Sequence, residues 1–136
     1  MCELHNMKTI EVVAAIIIKD GEVFATQRGY GEFKGWWEFP GGKIEPGETG
    51  EQCIVREIQE ELCVTLRVLR KFTDVVYEYP DRTVHLHFFV TEIESGELVR
   101  KEHNAFAWIT EADVPNYQFC PADAKMLSHT DLSSVC

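Results

Sequence analysis

The feature that most constrains the fold is an apolar run without a polar face. Residues 10–19 read IEVVAAIIIK, and the middle of this run is apolar at odd and even positions alike. Because alternate side chains of a strand point to opposite faces of its sheet, such a strand must be covered on both faces. The segment therefore predicts a central strand with layers packed on either side.

Further strands are predicted on both sides of the turn signals. Asp20-Gly21 is typical of a two-residue hairpin and predicts a return strand at 22–27. A glycine-rich loop follows at 28–35, then a short apolar run at 36–39. Two longer extended runs, 66–79 and 83–93, meet at a turn, another turn lies at 94–97, and a short strand is expected at 105–109.

Two helices are predicted. Residues 49–62 carry Ile54, Ile58 and Leu62 at helical spacing, which gives an apolar stripe to pack on the sheet. Pro121 is expected to begin a last helix over about 121–129, and residues 130–136 are expected to fray. The predicted fold class is α/β (α+β), with helices flanking a mixed sheet in one domain, 1–136, whose ordered core is about 8–129.

The composition limits the partners of the chain. With 13 basic and 23 acidic residues the net charge is −10, which disfavours nucleic acids and anionic membranes. No apolar run reaches the roughly 18 residues of a membrane span, and the first residues do not resemble a signal peptide. Five scattered cysteines, without a C-x-x-C pair, are typical of reduced thiols. We expect a cytoplasmic protein.

Three carboxylates cluster on the central helix. Glu57, Glu60 and Glu61 stand at i, i+3 and i+4 and therefore fall within an arc of about 100°. Like charges this close repel one another. Either this is a solvated helix face, or a hard cation such as Mg²⁺ sits among the oxygens and shares its remaining positions with phosphate.

The surrounding residues favour the cation. Gly41, Gly42 and Lys43 are expected in a loop before the helix, where backbone can approach a phosphate and lysine can meet its charge. Glu48 at the helix start can bond to Arg56, and Arg56 can orient the neighbouring carboxylates through bidentate hydrogen bonds.

These residues resemble a known family. The string G-x5-E-x7-R-E-I-x-E-E-x-x-V matches the Nudix signature, and the single departure is Cys63, where the family has glycine. The resemblance covers roughly residues 9–129. Residues 10–43 and the segment YEYPDRTVHLHFF are similar to MutT-like nucleoside triphosphate diphosphatases, including CTP-hydrolysing members. The matching positions are Gly42, Glu48, Arg56, Glu57, Ile58, Glu60, Glu61 and Val64.

The resemblance implies a fold, a reaction and a metal site. The fold is a Nudix-type α/β/α sandwich, and the reaction is attack of water on a nucleoside triphosphate, giving the monophosphate and pyrophosphate with Mg²⁺ or Mn²⁺. By position, the implied metal ligands are the Gly41 carbonyl and Glu57, Glu60 and Glu61. Glu102 falls where this branch places a further metal ligand or general base, or it is an ordinary solvated loop residue.

Residues outside the helix are implied to bind substrate. Lys43 and Arg28 match phosphate contacts, and Arg82 matches a position near the nucleotide, although Arg28 and Arg82 also suit a strand end and a turn. Phe39 flanks the base or packs in the core. Asp123 reads the base or caps a helix. An ionised carboxylate would favour an exocyclic amine such as cytosine N4, whereas a protonated one would still serve an oxidised purine.

The predicted function is Mg²⁺-dependent hydrolysis of CTP, dCTP or modified pyrimidine nucleotides. The alternatives are a MutT-like 8-oxo-dGTP diphosphatase that sanitises the nucleotide pool, another Nudix specificity such as ADP-ribose, and a non-catalytic nucleotide-binding domain. The expected partner is a small-molecule nucleoside triphosphate, with no nucleic acid and no membrane, and the protein is expected to be a monomer or homodimer.

Two further features concern side chains outside this scheme. His85 and His87 alternate on one strand face, but no third metal ligand lies at suitable spacing, so they are interpreted as structural or substrate-lining. Cys63 stands where glycine would serve a left-handed helix cap, and a cysteine held in that conformation should be strained.

Overall fold

A mixed seven-stranded sheet forms the centre of the part of the chain that this computed structural model describes, residues 8–135. Cys2 and Cys136, two of the predicted reduced thiols, lie outside those residues, whereas Cys53, Cys63 and Cys120 are free thiols. The strands are β1 (Thr9–Lys19), β2 (Glu22–Gln27), β3 (Trp37–Glu38), β4 (Gly41–Lys43), β5 (Val64–Tyr79), β6 (Arg82–Gly96) and β7 (Ala105–Ile109). The α-helices are α1 (Gly50–Leu62) and α2 (Pro121–His129).

The topology places β1 at the centre. The main path runs β3-β2-β1-β6-β5, with β4 paired to β1 and β7 paired to β2. β1 and β6 are parallel, from the pair Thr9 and Thr83 to the pair Ile17 and Thr91, whereas the other pairings are antiparallel. Residues far apart in the chain are therefore neighbours along the middle of the sheet.

The two faces of β1 are buried in two separate cores. Val13, Ala15 and Ile17 pack in a cluster with the apolar residues of α1, whereas Ala14 and Ile16 pack in a cluster with residues of α2. All five side chains are at most 2% exposed. The central strand covered on both faces is confirmed, and so is the sandwich of helices around a mixed sheet.

Helix α1 has a defined beginning and end. The Thr49 hydroxyl accepts a hydrogen bond from the Gln52 amide at 3.0 Å, and the Gln52 side chain accepts one from the Thr49 amide at 2.9 Å. This reciprocal cap satisfies two amides that the helix would otherwise leave unpaired. At the other end Cys63 adopts the left-handed conformation, with φ of 63°. The predicted stripe of Ile54, Ile58 and Leu62 is fully buried.

The sequence prediction was wrong at three places. Residues 41–43 form strand β4 rather than a loop, because Gly41 lets the chain approach Val13 so closely that any Cβ would overlap the Val13 carbonyl. Strand β6 continues through the predicted turn to Gly96, which pairs with Val64. A 3-10 turn at Leu132–Ser134, with Leu132 buried, replaces the frayed tail. The 3-10 helix Glu111–Asn116 was not predicted.

The left-handed cap generates a stability prediction. Replacing Cys63 with glycine should raise the free energy of unfolding by about 1 kcal/mol, because glycine carries no Cβ to strain this conformation. Turnover should stay nearly unchanged. Urea unfolding and steady-state assays would measure both, and Cys63→Val is the matched control, since a β-branched residue should destabilise the cap. A glycine variant that is less stable than the parent protein would contradict the prediction.

Candidate active site

Arg56 connects the polar residues on α1 through hydrogen bonds. Its guanidinium donates to both carboxylate oxygens of Glu48, at 2.6 and 3.0 Å. A second edge donates to Glu57 and to Glu60, both at 3.2 Å. The hydrogen bonds from Arg56 and from the Glu45 amide lower the pKa of Glu48 to about 2. The contact expected between Glu48 and Arg56 is therefore present, and Arg56 orients carboxylates rather than facing the cleft.

The three helix glutamates differ in exposure. The side chains of Glu57 and Glu61 are 18% and 24% exposed, whereas that of Glu60 is 59% exposed. Burial, followed by the hydrogen bond and charge of Glu57, raises the pKa of Glu61 to about 9. Two partly buried carboxyls that share one proton suit a divalent cation. The charge of the cation would offset both the cost of burying two carboxylates and the repulsion between them.

The glycines of β4 bring the backbone close to the carboxyl groups of Glu57 and Glu61. At Gly42 a Cβ would lie 2.5 and 2.6 Å from the two carboxylate oxygens of Glu57. Only a glycine leaves room for the Glu57 carboxylate in its present position. Gly41, whose carbonyl is the expected fourth metal ligand, lines the cleft directly before it.

A cleft of about 440 Å³ lies beside these residues. It brings together most of the predicted site, whereas Arg56, Glu57 and Glu60 are not among its lining residues. No three of the helix glutamates have converging oxygens within 4.8 Å: in the described chain only two other clusters meet that limit. The predicted residues that line the cleft are Arg28, Phe39, Gly41, Lys43, Glu61, Arg82, Glu102 and Asp123.

Glu102 approaches the helix from the loop before β7. Its carboxylate accepts a hydrogen bond from the Tyr30 hydroxyl at 3.3 Å, and its charge contributes to the raised pKa of Glu61. The next residue, His103, places Nε2 at 3.8 Å from a Glu61 oxygen, while its buried Nδ1 has no hydrogen-bond partner. The sequence analysis missed His103, and its position directly after Glu102 was the only signal for it.

Both predicted arginines of the cleft are already paired with acids. Arg28 donates to the two carboxylate oxygens of Glu38 at 2.7 and 3.2 Å. Arg82 donates to Glu32 at 2.9 Å and lies 4.3 Å from the ring centre of Tyr79. Lys43 lines the same cleft and is exposed, so its ammonium is accessible to an anionic ligand.

Asp123 lies at the inner end of the cleft, in the first turn of α2, and is only 5% exposed. One of its oxygens accepts a hydrogen bond from the Phe39 amide at 3.2 Å. Burial, with the nearby charge of Glu38, raises the pKa of Asp123 well above its usual range. This shift favours the protonated carboxyl, which is one of the two forms that the sequence left open.

The surroundings of Asp123 complete this end of the cleft. Polar atoms of Glu38, Cys120 and Asp123 all lie within 4.8 Å of one another. Phe39 is buried and stacks on Phe119, with 5.3 Å between the ring centres, so it serves the core and the cleft wall together. The sequence analysis did not select Glu38 because it belongs to a short apolar run.

The cleft combines carboxyl groups suited to a cation with the cationic side chains of Lys43, Arg28 and Arg82, which suits a hydrolase of phosphoric anhydrides. A family model for the NUDIX domain matches residues 7–130. The chain is 39% identical to a CTP pyrophosphohydrolase of Escherichia coli over 89% of this chain and 90% of that protein. It is 36% identical to an 8-oxo-dGTP diphosphatase of the same organism, over 90% and 96%. The chain belongs to the NUDIX family.

A solved structure supports the same conclusion about the fold. The crystal structure of a MutT NUDIX hydrolase from Burkholderia pseudomallei matches with a TM-score of 0.80 and 25% identity, over 89% of this chain and 97% of that chain. Within residues 8–135, no helix has the length and apolar character needed to cross a membrane.

The contact between Gly42 and Glu57 generates a prediction. Gly42→Ala should lower kcat about 100-fold while the protein stays folded, because the added methyl must displace the Glu57 carboxylate. Steady-state hydrolysis with Mg²⁺ and circular dichroism would measure the two effects.

The matched control is Gly47→Ala. Gly47 has φ of +80° but nothing within 4 Å of a Cβ, so alanine should cost some stability and leave kcat near that of the parent protein. If both variants hydrolysed substrate equally fast, kcat would not depend on the observed position of the Glu57 carboxylate.

Proposed function

We propose that this protein is a Mg²⁺-dependent nucleoside triphosphate diphosphatase that converts CTP or dCTP to the monophosphate and pyrophosphate. The observation that carries this specificity is the buried Asp123 carboxyl, with its pKa raised well above the usual range, beside the Glu38 carboxyl group in the cleft. The relative named a CTP pyrophosphohydrolase supports it.

The chemistry at the other end rests on the helix carboxylates. We propose that Gly41, Glu57, Glu60, Glu61 and Glu102 hold Mg²⁺, for which Mn²⁺ substitutes, through oxygen ligands that suit hard cations. The ion would supply charge neutralisation at the phosphates and a more acidic water.

The remaining steps belong to side chains of this chain. Arg56 holds Glu57 and Glu60 in place through its 3.2 Å contacts. Glu102 is held by Tyr30, and the alternative to its binding the ion is that it takes a proton from the attacking water. Lys43 and Arg82 would meet the negative charge of the triphosphate, while Arg28 steers Glu38 rather than binding phosphate on its own.

The base would be read by two carboxyl groups with different proton content. A neutral Asp123 offers one O–H donor and one carbonyl acceptor, which match N3 and the N4 amine of cytosine. A neutral carboxyl alone would also match uracil, whose pattern is reversed. The neighbouring Glu38 carboxylate, held by Arg28, can only accept, so it favours the amine of cytosine and repels the O4 of uracil.

A second candidate substrate is 8-oxo-dGTP. Its oxidised base presents O6 as an acceptor beside N7–H as a donor, and a neutral Asp123 matches that edge too, whereas unoxidised guanine has two acceptors there. A relative at 36% identity carries the name 8-oxo-dGTP diphosphatase.

The acidic helix favours an enzyme over a purely non-catalytic nucleotide-binding domain. Such a domain has no need of the carboxylates, whereas Glu57, Glu60 and Glu61 are all retained here. Hydrolysis of ADP-ribose would use the same carboxylates, and it differs from hydrolysis of CTP in the base and in the second ribose that replaces the terminal phosphate. We propose a cytoplasmic monomer or homodimer that binds neither nucleic acid nor membrane.

A substrate panel tests the proposal directly. With Mg²⁺ in excess, kcat/KM should be higher for CTP and dCTP than for UTP, GTP, 8-oxo-dGTP and ADP-ribose, with pyrophosphate as the second product. Glu60→Gln should be inactive on every substrate, which controls for contaminating phosphatases. Preference for 8-oxo-dGTP would overturn the cytosine assignment but leave the diphosphatase intact, and hydrolysis of none of them would overturn both.

The proton content of Asp123 generates a separate prediction. Asp123→Asn keeps one donor and one acceptor, so kcat/KM for CTP should change little, whereas Asp123→Ala should lower it about 10- to 100-fold. As pH rises through the raised pKa of Asp123, the parent protein should lose affinity for CTP because the O–H donor disappears.

The asparagine variant does not titrate at this position and serves as the control for that pH profile. Its KM for CTP should stay level over the range in which the KM of the parent protein climbs. If the asparagine and alanine variants were equally impaired, an ionised Asp123 would be the reading group instead.

A further inference from the structure

A second group of potential metal ligands lies on the sheet, away from the cleft. Glu11 on β1 pairs with His85 on the parallel strand β6, and His87 follows two residues later on the same face. Val12 and Leu86, which alternate with these residues, line the cleft. Successive side chains of a strand point to opposite faces, and none of Glu11, His85 and His87 lines the cleft, so this cluster lies on the other face of the sheet.

The three side chains converge on one point. One Glu11 oxygen lies 2.7 Å from Nε2 of His87 and 3.2 Å from Nδ1 of His85. The donor atoms all lie within 4.8 Å of one another, and the two imidazole rings are 4.0 Å apart between centres. Ligands about 2.1 Å from a shared ion are separated by comparable distances, so only small side-chain shifts are needed.

The neighbours of the cluster have defined roles. Nε2 of His85 lies 2.6 Å from an Asp74 oxygen, which is the carboxylate contact that commonly orients a metal-binding histidine. Lys71 lies 3.1 Å from Nδ1 of His87, and its charge opposes a cation there. Lys71 is an exposed lysine on β5, so its flexible side chain can move away from the ring.

We propose that Glu11, His85 and His87 form a surface site for a divalent transition-metal ion of the zinc class, separate from the magnesium site of the cleft. Two imidazole nitrogens and one carboxylate oxygen suit Zn²⁺ and its neighbours in the first transition row, whereas Mg²⁺ prefers oxygen ligands. The side chains are 48%, 27% and 18% exposed in that order, so an ion can enter from solvent and keep water in its open positions.

The competing arrangement is a hydrogen-bond network without metal. In it His85 donates to Glu11 and Asp74, while His87 donates to Glu11 and accepts from Lys71. The two arrangements differ in their response to zinc, because only the metal site changes the ring nitrogens of both histidines together.

The test is a titration of the full chain with Zn²⁺ while excess Mg²⁺ occupies the carboxylates of the cleft. Nitrogen-15 NMR of the histidine rings should show coordination at Nδ1 of His85 and Nε2 of His87, and calorimetry should show zinc affinity reduced at least about tenfold in His87→Asn and Glu11→Gln. Asp74→Asn should weaken binding by a similar factor, and Lys71→Gln should strengthen it.

His129→Asn is the matched control, because His129 is an exposed histidine at the end of α2. It should bind zinc as the parent protein does, and Mg²⁺-dependent hydrolysis should be the same in both and in His87→Asn. Unchanged ring signals, or equal zinc affinity in His87→Asn and His129→Asn, would overturn the proposal while leaving the proposed activity unaffected.

Discussion

The guanidinium of Arg56 determines where the carboxylates of α1 can be. It bonds to Glu48 along one edge and to Glu57 and Glu60 along the other. Because Glu48 belongs to the loop that follows β4, these bonds fix that loop against the middle of the helix. The position of Gly42 against Glu57 then depends on the same interaction. A lysine could not replace this residue, since a point charge cannot serve three carboxylates in fixed directions.

The positive charge of Arg56 does not compensate all the carboxyl groups of this cluster. Arg56 compensates Glu48, Glu57 and Glu60, whereas Glu61 is not among its partners, and burial and the nearby Glu57 raise the pKa of Glu61 to about 9. Glu61 is therefore an acid without a cationic partner in Arg56, and it lines the same cleft as Lys43 and Arg82. This arrangement of acidic and basic side chains suits an anionic substrate that needs a cation between its phosphates and the helix. It also reconciles the net charge of −10 with an anionic ligand.

Two carboxyl groups of the cleft have surroundings that ordinary surface acids lack. Burial raises the pKa of Asp123 well above its usual range, which favours the form that can donate a hydrogen bond, while both oxygens of Glu38 accept hydrogen bonds from Arg28. Neither property can be read from residue type, because a solvent-exposed aspartate in the first turn of a helix would be ionised. Asp123 was found by its position in the family pattern, with its protonation state left open, and Glu38 was not among the predicted site residues.

The local elements and the carboxylate-bearing helix α1 could be predicted from the chain's own patterns. The apolar run of β1, the stripe of α1 and the spacing of Glu57, Glu60 and Glu61 are local patterns, and local patterns follow from the geometry of single strands and helices. Which distant residues meet depends instead on how the elements pack. Glu11 reaches His87 across 76 positions, and Asp123 reaches Phe39 across 84, because the parallel pairing of β1 with β6 and the packing of α2 on the sheet join segments whose mutual placement no local spacing specifies.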